Sequence, residues 1–420
     1  MSENVLSPSR IQAFERLPSS LIGLIRRQLL RELARIQWGQ IEIIEQDERC
    51  TVIGAMNTEG PRTRVWVRDP AMFAYVGLGG SAGAGQSYFL GLWDTSSLTD
   101  LVRIMVHNRY VLDALDEGWT WPSKLLYNYV HWRRQNSKTK SKSNIAAHYD
   151  LGDDFFELML DPTMMYSAAV FTRPDMTLEE AQIQKLDLIC RKLDLVPGDH
   201  LLEIGTGWGG LAAHAAAHYG CRVTTTTISE NQFRYAAARI QSLGLAERVT
   251  VLKRDYRELV GKYDKLVSIE MVEAVGHQYF DTFFGKVGAL LSDDGLALIQ
   301  AITIEDSRFE QYKRTPDYIK RFIFPGGCLP SINAMLNSTT RMTDLVLVHL
   351  EDIGHHYATT LKLWWENCIA RQPQIEALGY PQTFLRMWQF YLSYCEGGFI
   401  ERSIGDAQML LARPGWRARR

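Results

Sequence analysis

The chain has 420 residues, 46% hydrophobic and 22% charged, with Lys+Arg 46 against Asp+Glu 48 and a formal net charge of −2. That balance excludes a largely disordered, collagen-like or coiled-coil protein, and the length suits about two or three domains. No global positive field argues for nucleic acid, so an anionic partner must be met by a local patch.

Cys50, Cys190, Cys221, Cys328, Cys368 and Cys395 are scattered, with no C-x-x-C pair. Neither a zinc site nor a disulfide framework is suggested, and no metal site is expected. No apolar run reaches the roughly 18 residues of a membrane-spanning helix, and the N-terminus lacks a secretory pattern. The expectation is a cytoplasmic protein, free to work at a membrane surface. Its 11 Trp, 18 Tyr and 16 Phe leave ample aromatic surface for an apolar ligand pocket.

Residues 8–39 are expected to be helical, because Leu21, Ile22, Leu24, Ile25, Leu29, Leu33 and Ile36 recur at helical spacing. Arg26, Arg27, Arg31 and Arg35 gather on the other side. Such a helix either covers its own domain's core or lies on an anionic membrane. From Gly39 to about Val76 the period shifts towards two, giving short strands around 41–43, 51–53 and 63–67. A Gly-rich stretch, 77–85, precedes Tyr88–Trp93 and a helix from Ser97. Residues 1–125 therefore read as a small α+β domain.

Residues 126–143 read as a linker, since 132–143 carry five positive charges and no acid. The charges either keep a flexible segment soluble or attract lipid headgroups, at about 1 kcal/mol per basic residue near an anionic surface.

Residues 144–420 alternate strand and helix. Strands are expected at Asp199–Ile204, Arg222–Thr227, Val249–Arg254, Lys265–Glu270 and Leu296–Thr303. Helices are expected through Ala217 and over Glu230–Leu243 and Phe280–Leu291. This rhythm predicts a parallel, doubly wound α/β sheet. Its first strand ends in Glu203-Ile204-Gly205-Thr206-Gly207-Trp208-Gly209-Gly210, where glycines allow a tight turn and close ligand approach. The loop lacks the full G-x-G-x-x-G cradle, and no Lys-Ser/Thr follows it, which excludes a P-loop.

The E-x-G-x-G pattern resembles the first motif of class I methyltransferases, whose Rossmann-like domain binds S-adenosylmethionine. On that resemblance Asp255, at the third strand's end, accepts a hydrogen bond from the adenine amino group and Tyr256 stacks on the ring. Further runs narrow the likeness: Asn144-Ile145-Ala146-Ala147-His148-Tyr149-Asp150, Met165-Tyr166-Ser167, Thr227-Ile228-Ser229-Glu230-Asn231-Gln232, Glu270-Met271-Val272-Glu273-Ala274-Val275-Gly276-His277, and Tyr318 to Ser331 with its Phe324-Pro325-Gly326-Gly327-Cys328-Leu329-Pro330 core. Together they resemble the cyclopropane-fatty-acyl-phospholipid synthase family, strongly over about 140–415. The N-terminal domain is more loosely similar to the family's accessory domain.

The resemblance implies methyl transfer from S-adenosylmethionine to a cis double bond of a phospholipid acyl chain. A carbocation follows, then proton loss and ring closure, with a bound bicarbonate as base. It implies cofactor contacts at Tyr166, Ser167, Glu203, Gly205, Gly207, Trp208, Thr227, Gln232, Asp255 and Tyr256. Glu273 and Tyr357 match the family's bicarbonate-holding carboxylate and phenol, and Ile302 a residue whose backbone contacts that ion. Three positions depart: Ala168 replaces a cysteine, Gln300 a histidine, and Glu270 stands where glycine is common. Gln300 can still donate through its amide but carries no charge. Glu270 and Glu273, three apart, share a helical turn's face and suggest acid–base work; the alternative is that one caps the following helix. His148 reads as a positioning residue, Trp364 and Trp365 as core or acyl-channel wall, and Cys328 as packing.

A changed base site leaves a second product open, a methylated or methylene-bearing alkene formed without ring closure. A lipid-binding protein that kept the fold without catalysis, and a methyltransferase of a soluble small molecule, are the other classes. The resemblance also implies peripheral contact with the inner face of the membrane and, since family members are often dimers, a homodimer.

Overall fold

The computed structural model describes residues 17–54, 59–118, 151–315 and 317–418. The basic stretch 126–143, the segment Asn144–Asp150 and residues 8–16 of the first expected helix lie outside the described residues.

The described residues form two units. The first joins those up to 118 with Thr315–Pro325 and Cys368–Ser403. The second holds those from 151 to Arg314, with Gly326–Asn367 and Ile404 onward. Two stretches of the segment 144–420, Thr315–Pro325 and Cys368–Ser403, belong to the first unit. The cause is aromatic packing between distant segments. Helix Gln382–Ile400 buries Phe384, Trp388, Phe390 and Tyr391. Phe390 lies 5.8 Å from Tyr88 and 4.6 Å from Tyr318, centroid to centroid, and the Tyr318 hydroxyl donates to the Met387 carbonyl.

The first unit has a four-stranded sheet in the order β2-β1-β3-β4. Its strands are β1 Gln40–Ile44, β2 Cys50–Ile53, β3 Arg62–Val67 and β4 Trp93–Thr95. Helix Ser19–Leu33 buries Ile25, Leu29 and Leu33 in its own unit, and Arg26 is paired with Glu45. The Gly-rich stretch is helical: it lies inside Ala71–Phe89, which breaks at Gly80 (φ 52°, ψ −139°). Ser97 caps helix Leu98–His107, its hydroxyl accepting the Asp100 N–H.

The second unit is a seven-stranded sheet in the order β10-β11-β9-β8-β5-β6-β7. The strands are β5 His200–Ile204, β6 Arg222–Thr227, β7 Val249–Lys253, β8 Tyr263–Ile269, β9 Leu291–Ile304, β10 Val346–Asp352 and β11 Ile404–Ala412. Pairs β9/β8, β8/β5, β5/β6 and β6/β7 are parallel, as the α/β rhythm predicts. The sheet is nevertheless mixed, because β11 runs antiparallel to both β9 and β10, two strands the sequence reading did not assign.

Both faces of the sheet are covered. Leu201, Val267 and Leu298 join one apolar cluster with Ile189 and Ala212. Leu202, Leu266 and Ile299 join the other with Phe283 and Phe284. The strand order reverses between β5 and β8, and open α/β sheets bind ligands beyond the carboxyl ends of the strands at such a point.

Candidate active site

The loop after β5 carries the first half of the site. Gly205 (φ 103°) and Gly207 (φ 51°) hold backbone angles that side chains disfavour. A Cβ on Gly205 would sit 3.3 Å from the Met271 side chain, whereas one on Gly207 would meet nothing within 4 Å. The loop thus leaves open space against its backbone, as a closely held ligand requires. At the end of β6 the Thr227 hydroxyl donates to Gln232 Oε1 at 2.8 Å, and Ser229 caps the helix that carries Gln232. At the end of β7 Asp255 is gripped by Arg257, at 2.8 and 2.6 Å.

Tyr256 and Glu203 are both buried. The Tyr256 ring packs edge-on 5.5 Å from Phe283. Its hydroxyl is buried without a hydrogen-bond partner among the described residues, and burial pushes its pKa up to about 12. Glu203 is buried beneath the loop and accepts from Thr225 Oγ1 at 2.5 Å, with its pKa pushed up to about 8 by burial. It braces β5 against β6.

Tyr166, Ser167 and Trp208 form one wall. The Trp208 indole donates to Asp153 Oδ1 at 2.8 Å and packs 4.8 Å from Phe156. Tyr166 lies 5.2 Å from both Phe156 and Trp364. The Ser167 hydroxyl takes a 2.7 Å hydrogen bond from the ammonium of the fully buried Lys185.

The acids gather beyond β8. Glu270 Oε2 accepts the Tyr357 hydroxyl at 2.7 Å. Glu270 Oε1 accepts the Ala168 N–H at 3.0 Å and the Gln300 amide at 2.8 Å. The same amide reaches Asp406 Oδ2 at 2.9 Å, and Gln408 donates to Gln300 Oε1 at 3.0 Å. Glu273 Oε1 accepts the Ile302 N–H at 2.5 Å, while its Oε2 is buried with no partner among the described residues. All five expected catalytic residues therefore meet: Glu270, Tyr357 and Gln300 by direct hydrogen bonds, Glu273 and Ile302 by another.

Their electrostatics follow from burial. Glu273 is pushed up to about 8, by burial first and then by the neighbouring Glu270. Asp406 is driven far above the ordinary carboxyl range by burial and by Glu270 and Glu273. Burial also raises Glu270, but hydrogen bonds from Tyr357 and Ala168 and the Lys185 charge oppose it. Of this pair, Glu270 is the carboxylate and Asp406 the protonated acid, because neighbouring buried carboxyls cannot both ionise cheaply. Lys185 is lowered to about 8 by burial, against the pull of Glu270, Asp406, Asp161 and Glu203.

Residues 136–409 match the family model of mycolic acid cyclopropane synthetase. The chain belongs to this family. It is 36% identical to the cyclopropane-fatty-acyl-phospholipid synthase of Escherichia coli, over 86% of this chain and 90% of that one. It is 35% identical to the tuberculostearic acid methyltransferase UfaA1 of Mycobacterium tuberculosis, over 87% and 86%. Among solved structures, the mycolic acid cyclopropane synthase CmaA1 complexed with SAH and CTAB is 34% identical, with a TM-score of 0.59, covering 64% of this chain and 98% of that one. The resemblance read from the motifs is thereby shown, as is the class I fold.

This member of the synthetase family is an S-adenosylmethionine-dependent methyltransferase of lipid modification. Its glycine loop, with open space at Gly207 and polar side chains at the next two strand ends, fits that cosubstrate. The sequence reading missed Asp406, Gln408 and Lys185. Asp406 pairs with Ile302, and Gln408 with Gln300, in the β11/β9 register. Recognising Ile404–Ala412 as a strand was the signal that could have brought both acid and amide to the site. Lys185 lies on the buried face of helix Leu178–Lys192, where a lysine within an apolar stripe is itself a signal.

Proposed function

We propose that the enzyme transfers a methylene group from S-adenosylmethionine to the cis double bond of an unsaturated phospholipid acyl chain, giving a cyclopropane. The observation that carries this reading is the buried acid cluster of Glu270 and Glu273 at the carboxyl end of β8, the strand beside the one that ends in the glycine loop. Bound S-adenosylmethionine supplies an electrophilic methyl. The alkene is a poor nucleophile, so the loop's task is to hold the reacting carbons in line. Its π pair forms the new C–C bond, the C–S pair leaves with sulfur, and the other alkene carbon becomes a cation. Buried carboxylates and the rings of Tyr166, Tyr357 and Trp364 suit such a cation, a desolvated ring face contributing up to about 2 kcal/mol.

Proton loss from the new methyl closes the ring. Loss from a chain carbon leaves a methylated alkene, and this second reading is favoured by the altered surroundings of the acids, where Ala168 offers only its backbone N–H and Gln300 an uncharged amide. The relatives divide along the same line, one named a cyclopropane synthase and another a methyltransferase. Mass spectrometry of lipids after incubation with S-adenosylmethionine bearing a trideuterated methyl tests both. Two deuteriums and no surviving alkene report ring closure; a surviving alkene reports methylation; no incorporation refutes a lipid substrate.

A lipid substrate calls for peripheral contact with the inner face of the membrane. Among the described residues no helix is long and apolar enough to cross one. With a net charge of −2, contact must come from local basic segments such as 132–143. Replacing Lys138, Lys140 and Lys142 with Gln should weaken binding to anionic liposomes, and unchanged binding removes this stretch from the contact.

A further inference from the structure

Around the place that the family resemblance assigns to a bicarbonate ion, the donors are already taken by the chain's own carboxylates. The Tyr357 hydroxyl, the Ala168 N–H and the Gln300 amide all donate to Glu270, at 2.7, 3.0 and 2.8 Å. The Ile302 N–H is taken by Glu273. A further anion here would lie beside Glu270, Glu273 and Asp406, with no thiol at Ala168 and no imidazolium at Gln300. The residues present do not fit a bound bicarbonate.

Glu270 also holds an unusual backbone. Its φ is 47°, in the left-handed region that costs a side-chain-bearing residue about 1–2 kcal/mol and that glycine enters freely. Strain kept at a buried acid is the kind of outlier from which function is inferred. Here the strained backbone carries a carboxylate into the one place where three donors converge on it.

We infer that the Glu270 carboxylate replaces bicarbonate and is itself the base of the reaction. The inference rests on the acyl-methylating reading above. A C–H bond of the methylated cation breaks and its proton passes to a Glu270 oxygen. The freed pair forms the ring-closing C–C bond, or a C=C bond when the proton leaves a chain carbon. The products are S-adenosylhomocysteine, a neutral modified chain and a protonated Glu270, which releases its proton before the next turnover. No external base enters the balance. Asp406, already protonated, is the positioning acid beside it and not a competitor for the proton.

The test compares wild type, Glu270→Gly and Glu270→Gln in CO2-free buffer and with added bicarbonate, on vesicles of unsaturated phospholipid. Glycine relieves the left-handed backbone, which offsets part of the loss of three buried hydrogen bonds, and calorimetry checks that E270G folds. Wild-type turnover should be unchanged by bicarbonate. E270G should lose about 100-fold or more in CO2-free buffer and recover in part when bicarbonate is added. E270Q fills the same space without accepting a proton and should be inactive under both conditions. In a titration with 13C-bicarbonate, E270G should bind the ion and wild type should not. A wild type that requires or binds bicarbonate, an E270Q with near-normal turnover, or an E270G that binds no ion would each overturn the inference. Absence of lipid methylation by wild type in either buffer would instead overturn the functional reading, while the binding titration would still decide who occupies the anion's place.

Discussion

Tyr357 donates its hydroxyl to Glu270 at 2.7 Å, tying helix Gly354–Ala370 to the carboxyl end of β8. The bond favours the ionised carboxylate and opposes the upward push of burial. Tyr357→Phe removes it, so Glu270 should hold its proton to higher pH. A base must be unprotonated, so the acid limb of the kcat profile should move up, by about one to two pH units for a charge-assisted bond. An unmoved limb in Y357F would detach Glu270 from the rate.

Asp406 and Glu270 both accept from the Gln300 amide, and Asp406 is the member held protonated. An amide can replace a protonated carboxyl, accepting from Gln300 as Asp406 Oδ2 does. Asp406→Asn should therefore keep turnover and thermal stability close to wild type. A drop of about 100-fold or more would make Asp406 the ionised partner and reverse the assignment.

Gly207 has φ 51°, and a Cβ there meets no protein atom within 4 Å. Gly207→Ala should cost only about 1 kcal/mol of stability through its backbone. If the open space belongs to the cosubstrate, S-adenosylmethionine affinity measured by calorimetry should fall by about tenfold or more. Unchanged affinity with the small loss of stability would place the ligand elsewhere on the loop.

Glu203 titrates near 8 in the folded chain against an ordinary 4.5. Between those values the folded state keeps a proton that the unfolded state has released. Its contribution is therefore fully present below pH 4.5 and is lost as pH rises towards 8, by at most about 1.4 kcal/mol per pH unit. Glu203→Gln retains the acceptor for Thr225 without that proton. In urea unfolding from pH 5 to 8 its stability should fall less steeply than that of wild type; parallel curves would mean that Glu203 is ionised throughout.

Much of this protein is determined locally. The apolar run before Gly205, the positive-φ glycines and the acids past β8 can be read from residue types and spacing, because strand burial, tight turns and helix caps leave signatures within a few residues. The motifs at Glu203–Gly210, Thr227–Gln232 and Glu270–His277 fall at the carboxyl ends of β5, β6 and β8, and the parallel strands follow from their rhythm. Tertiary structure decided the rest. A periodic pattern reports which face is buried, not what buries it. Helix Gln382–Ile400 reads as part of the catalytic half, yet it packs on residues of the N-terminal unit. The edge-on packing of Tyr256 against Phe283 joins segments that no local pattern connects. Asp406 reaches Gln300 through antiparallel pairing of β11 with β9, a register between strands far apart in sequence. Lys185 and Ser167 meet only once the helix has docked. The residue types of Glu270, Gln300 and Ala168 are written in the chain; their convergence, which turns three departures from the family pattern into one carboxylate held by three donors, is set by the fold, because it depends on distances that no local interaction specifies.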